Sequence, residues 1–155
     1  MNTLAKRYTQ FSAATSALQS PFLLAIRLYW GWQFAVSGWG KMQNIPKFTT
    51  FFNSINIPFP AFNAHFVAGV EFFGGLLLIV GLASRFAGLI LAGNMLVAYW
   101  TADHEALLSV FSDSDKFTSA AEITFLMAAL TILVFGAGRF SLDALFKGRL
   151  KERAT

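Results

Sequence analysis

The sequence contains no cysteine, which excludes disulfides, thiol redox chemistry and cysteine-based metal or iron–sulfur sites. Histidine occurs only twice, at His65 and His104, and no paired-histidine haem pattern, glycine-rich phosphate loop or Ser/His/Asp set is present. Asp103-His104-Glu105 offers metal-ligating side chains, but three consecutive residues cannot easily converge on one ion. The stretch reads as a solvated acidic loop, and no metal site is expected. Charge is scarce too. Charged residues make up 13% of the chain, against about 25% in soluble domains. Proline is rare, with four residues, and none falls in the middle of an apolar segment.

What is present is apolar. The 155 residues are 55% hydrophobic, with 18 phenylalanines and 12 glycines, and the mean hydropathy is +0.55. That composition places the chain in a lipid bilayer, where glycine is commoner than in soluble helices. Apolar segments run over about 21–40, 62–82, 86–100 and 120–135. A spanning helix needs about 20 apolar residues, so residues such as Ser84 and Thr118 are expected to extend the two shorter ones. The predicted fold is all-α: a membrane-spanning four-helix bundle, with short amphipathic interfacial helices in the loops. The chain divides into an N-terminal segment 1–20, a membrane domain 21–145 and a basic tail 146–155. The first of these, carrying Leu4, Tyr8 and Phe11 at helical spacing, is either an interfacial helix or a mobile tail. It has no apolar run ending in a small-residue cleavage site, so no cleaved signal peptide is expected. Ser20-Pro21 reads as an N-cap followed by proline at the first helical position. Phe48, Phe51, Phe52 and Ile55 predict a short amphipathic helix in the first loop.

The cations are sorted by loop. Lys6, Arg7, Arg85, Arg139, Lys147, Arg149, Lys151 and Arg153 fall on one side, and Lys41, Lys47 and Lys116 on the other. Under the positive-inside rule both termini are cytoplasmic. The net charge of +4 therefore reflects topology, and no nucleic-acid partner is implied.

Arg27, Gly31, Phe34, Gly38 and Lys41 follow at steps of four, three, four and three, which keeps all five on one helix face. Counting 1.5 Å per residue from the inner ends, Arg27 lies about 9–12 Å deep, Glu71 about 16 Å and Asn94 about 13 Å, with Gln33 somewhat higher. The expectation is a buried Arg27–Glu71 ion pair, with Gln33 and Asn94 in the same layer. Charged groups in hydrocarbon are costly and mark function by default, although such a pair can also serve only to fix helix register. Gly74 and Gly75, one turn beyond Glu71, either pack closely or leave room for a flat ligand. Lys41 and Glu122 lie at similar depth and could pair, though an interface lysine commonly snorkels into water.

Arg27-x3-Gly31-x2-Phe34-x3-Gly38-x2-Lys41, then Glu71-x2-Gly74-Gly75 with Gly81 and Arg85, resemble the DoxX family of small four-helix membrane proteins. The ending Phe135-Gly-Ala-Gly-Arg-Phe-Ser-Leu-Asp143 is similar as well, and the likeness covers roughly 21–145. The acidic loop at 103–118 departs from it. The resemblance implies a bacterial inner-membrane protein, some of whose relatives are subunits or accessories of quinone-linked oxidoreductases, including thiosulfate:quinone oxidoreductase. In that reading Arg27 and Glu71 are the catalytic candidates, and Gln33, Phe34, Asn94, Gly74 and Gly75 line a ligand pocket. Gly31, Gly38, Lys41, Gly81 and Arg85 are structural. No intrinsic cofactor is implied; a bound quinone, redox-enzyme partner subunits and a homodimer are expectations. The rival readings are a non-catalytic scaffold and a small-solute carrier, the latter weakened by the absence of a proline-broken span.

Overall fold

The structure, a computed structural model, describes residues 3–152, leaving residues 1–2 and the last three of the basic tail, 153–155, outside it. The described residues fold as helices and turns, without a strand. Four long helices, α1 (Thr3–Gln43), α3 (Pro60–Val80), α4 (Ser84–Thr101) and α7 (Ala121–Phe135), form a closed ring in which α1 packs on α3, α3 on α4, α4 on α7 and α7 on α1. Short helices fill the connections: α2 (Ile45–Ser54), α5 (His104–Leu108), a 3-10 turn at Ser109–Phe111 and α6 (Ser114–Ser119). A last helix, α8 (Leu142–Glu152), follows α7.

Small residues let the first pair touch backbone to backbone. A Cβ placed on Gly31 would lie 2.9 Å from the Gly75 carbonyl, and one on Gly75 would lie 2.6 Å from the Gly31 carbonyl. Gly38 meets Ala68 in the same way, at 2.7 Å. Gly88 brings α4 close to α7, a Cβ there lying 3.0 Å from the Ala129 carbonyl. Such close approach favours helix association where no hydrophobic effect operates. The centre of the ring is apolar, built on Phe34, Leu78, Leu91, Met95, Leu126 and Ile132. The outside is apolar as well: Trp32 and Trp39 on α1, Phe66 and Phe73 on α3, Val97 on α4 and Val134 on α7 are all exposed. Among the described residues α3 is the one helix long and apolar enough to cross a bilayer by length and composition. The equally apolar α7 has 15 residues, about 22 Å of rise.

Two boundary expectations are corrected. Ser20 is not an N-cap, because α1 runs unbroken through Pro21. The alanines before it are good helix formers, and the Ser20 hydroxyl instead accepts from the Arg139 N–H at 3.3 Å. Thr118 does not extend α7 either, because Ala120 is extended (ψ 129°) and separates α6 from α7. Ser84 does extend α4, and the amphipathic helix of the first loop is α2, with Phe52 buried and Phe51 exposed. On the acidic loop, Tyr99 Oη donates to the Phe117 carbonyl at 2.6 Å and fastens α6 to the end of α4.

Candidate functional site

The α1 face predicted from its spacing is the buried one: Arg27, Gly31, Phe34 and Gly38 all point into the ring. Its two charges, however, do not serve one site. Arg27, 1% exposed, makes no ion pair among the described residues. Nε donates to the Leu78 carbonyl at 2.9 Å and one terminal nitrogen donates to that of Ile79 at 3.2 Å. The other terminal nitrogen reaches the carbonyls of Ala137 and Phe140, at 2.6 and 3.1 Å. Leu78 and Ile79 end α3, where carbonyls lack helical partners and the helix dipole is negative. Five N–H donors in a fixed fork suit such a set. Arg27 thus caps one helix and staples the loop after α7 to it. Gly81 completes the arrangement, since it is left-handed (φ 71°) and a Cβ there would lie 2.7 Å from the Arg27 guanidinium carbon.

Glu71, also 1% exposed, belongs to a second cluster. Lys41 Nζ donates to both its carboxylate oxygens at 2.5 Å. Ser37 Oγ donates to it at 2.9 Å and Asn94 Nδ2 at 3.2 Å, and Lys41 also reaches Ser37 at 3.3 Å. The expected Arg27–Glu71 pair is therefore wrong, and register is the reason. Packing Gly31 on Gly75 and Gly38 on Ala68 sets Leu82 level with Leu24, not with Pro21. Arg27 then lies only about 5 Å above Leu82, at the level of the last residues of α3, and about 12 Å below Glu71.

The other sequence candidates divide between the clusters and the exterior. Asn94 joins Glu71, as expected. Phe34 is fully buried, edge-on to Phe125 at 4.7 Å between ring centres. Gln33 does not join. It lies off the buried face and donates to Tyr29 Oη at 3.3 Å. Gly74 abuts Leu91, and Gly75 abuts the α1 backbone, so both spaces are filled by protein. Arg85 is exposed, its guanidinium close to Gly136. Reading the sequence missed Ser37, although it sits one turn before Lys41 on the same helix. It also placed Lys41 in the structural set, because interface lysines usually snorkel.

Beside Glu71 lies a cavity of about 110 Å³, lined among others by Phe34, Ser37, Lys41, Met95, Glu122 and Phe125. Glu122 faces Lys41 across it and stands next to Asp103 of the acidic loop. Acidic groups thus follow one another from the buried Glu71, past Lys41, to Glu122 and Asp103. The space holds about three waters, well under the roughly 300 Å³ at which small-molecule sites begin. The donors that would hold a quinone head group there, Lys41, Ser37 and Asn94, are engaged by Glu71. The four-residue pocket of Arg27, Glu71, Gln33 and Asn94 does not form.

The DoxX family model matches residues 22–104, and the chain belongs to this family of membrane-associated proteins. It is 32% identical over 127 residues to "Putative oxidoreductase CatD" of Bacillus subtilis, covering 81% of this chain and 88% of that protein. It is also 30% identical over 129 residues to an "Uncharacterized protein" of Haemophilus influenzae, covering 81% and 83%. No solved structure matches.

Proposed function

We propose that the chain crosses the bacterial inner membrane four times, with both termini cytoplasmic, as the membrane-embedded accessory of a quinone-linked oxidoreductase. Apolar side chains on the outer faces of all four long helices support the topology, as does the sorting of lysine and arginine between the loops. The name of the Bacillus subtilis relative supports the oxidoreductase link. In this reading the quinone belongs to a partner subunit and supplies the redox couple. This chain contributes a proton-exchanging carboxylate, Glu71.

The observation that carries the proposal is the buried Glu71 on a polar cavity that also holds Glu122. A carboxylate in such a place exchanges protons with solvent through neighbouring titratable groups and the waters of the cavity. When Glu71 takes a proton, Lys41 loses its partner there and turns toward Glu122. When Glu71 gives the proton up, Lys41 returns. Arg27 takes no part in this exchange and keeps the helix ends in place.

The test is native mass spectrometry of the detergent-purified protein for a partner chain, followed by turnover of that complex. Glu71→Gln should abolish quinone-linked turnover and leave the complex assembled. Full turnover of Glu71→Gln would remove the proton role and leave the second reading, a non-catalytic scaffold. That reading has its own support: Glu71 has all its hydrogen bonds made within the protein, as a purely structural carboxylate would.

A further inference from the structure

We infer that the basic end of the bundle is a binding site for the phosphate head group of an anionic phospholipid, one acyl chain of which lies between α1 and α7. The site is a hollow of about 610 Å³ where α1, the α3–α4 turn, the end of α7 and α8 meet. Arg85, Arg139 and Lys147 line it, and none of the three pairs with a carboxylate among the described residues. Its one acid, Asp143, is already committed: its two oxygens accept from the backbone N–H groups of Ala83 and Ser84, at 2.7 and 2.9 Å. Arg27 removes further acceptors from the rim, holding the Ala137 and Phe140 carbonyls inward. What faces the hollow is a surplus of positive charge.

A second observation points to a ligand there. Ser84, fully buried in the wall of the hollow, is the residue whose side-chain hydroxyl has no hydrogen-bond partner among the described residues. Buried hydroxyls are nearly always satisfied, and a small outward shift of this wall on binding would let a phosphate oxygen satisfy this one. A third observation selects a lipid over a free ion. An apolar groove of about 410 Å³, bounded by Thr15, Leu18, Phe22 and Thr131, adjoins the hollow and shares Gln19, Leu23 and Phe135 with it. A charged head with an apolar tail matches the two spaces together, and inorganic phosphate matches only the first. Basic pockets between membrane helices on the cytoplasmic side bind anionic head groups for the same electrostatic reason.

The experiment uses the full chain in detergent, with thermal unfolding and native mass spectrometry as readouts. The probes are dioleoyl phosphatidylglycerol, dioleoyl phosphatidylcholine and inorganic phosphate. Phosphatidylglycerol should be retained and should raise the unfolding temperature, and the other two should do neither. The variant R85Q/R139Q/K147Q should bind phosphatidylglycerol about a hundredfold more weakly, and each single change about fivefold. K6Q/R7Q, which removes two cations outside the hollow, should bind as the parent does. If the triple variant does not fold, Arg139→Gln alone, Ser84→Ala and the groove-filling Thr131→Trp carry the test, each weakening phosphatidylglycerol binding. Equal binding of the two lipids, or an unchanged response in these variants, overturns the site. A shift from inorganic phosphate equal to that from phosphatidylglycerol overturns the lipid.

Discussion

Lys41 and Glu71 hold one another across the contact between α1 and α3, with Lys41 Nζ on both carboxylate oxygens. The side chain of Glu71 is 2% exposed and that of Lys41 is 21% exposed, so the pair is buried at one end and wet at the other. That asymmetry gives the lysine somewhere to go when the carboxylate is neutralised, which a pair buried at both ends would not.

Removing the lysine therefore strands a buried charge. Lys41→Met should lower stability by about 3 kcal/mol, within the range for breaking a buried pair. Glu71→Gln should cost less, because the freed lysine can reach water. Thermal unfolding in detergent checks the order; equal losses would mean that both ends are equally buried.

Arg27 should tolerate no replacement, because its four carbonyl partners need the planar fork. Arg27→Lys and Arg27→Ala should each destabilise by about 3 kcal/mol or more through unpaired buried acceptors. Amide hydrogen exchange at residues 137–142 should rise with the loss, since Arg27 ties that loop to α3. Protection unchanged from the parent would show that the loop is held by something else.

Two classes of glycine should separate cleanly. Gly38→Ala and Gly75→Ala drive a methyl group against the backbone of the neighbouring helix and should cost about 1–3 kcal/mol. Gly69→Ala and Gly93→Ala meet nothing within 4 Å and should be neutral or stabilising by up to about 1 kcal/mol. Thermal unfolding of the four variants decides it.

Outside the bundle, Lys116 donates to Glu105 at 2.9 Å. That hydrogen bond and the ammonium charge hold the Glu105 carboxyl below its ordinary 4.5. A carboxyl depressed in this way adds stability above its unfolded value, and the gain disappears as pH falls through the lower folded value. The pair is exposed, so the effect on unfolding should be slight. A side-chain titration followed by NMR should place Glu105 below 4.5, and Lys116→Gln should bring it back.

Much of this was legible in the sequence. The spacing from Arg27 to Lys41 identified the buried face of α1. The small residues at Gly31, Gly38 and Gly75 marked faces for either close helix packing or a flat ligand, of which the structure has the packing, against α3. The partners of the two cations were not legible. Depth had to be counted from Pro21, which looked like a helix start, whereas the backbone contacts at Gly31 and Gly38 set the register three residues later. A shift of that size moves Arg27 from the level of Glu71 to the carbonyls closing α3, and brings Lys41 down to Glu71. Carbonyl partners are also invisible to residue types, so an arginine that ends on four of them reads from the sequence as one in search of an acid.

The most direct measurement is a pair of double-mutant cycles on thermal unfolding, K41M with E71Q and R27K with E71Q. A tenfold coupling or more, about 1.4 kcal/mol, is expected for Lys41 with Glu71, and none beyond about 0.5 kcal/mol for Arg27 with Glu71. Strong coupling of Arg27 to Glu71, with none for Lys41, would contradict the account.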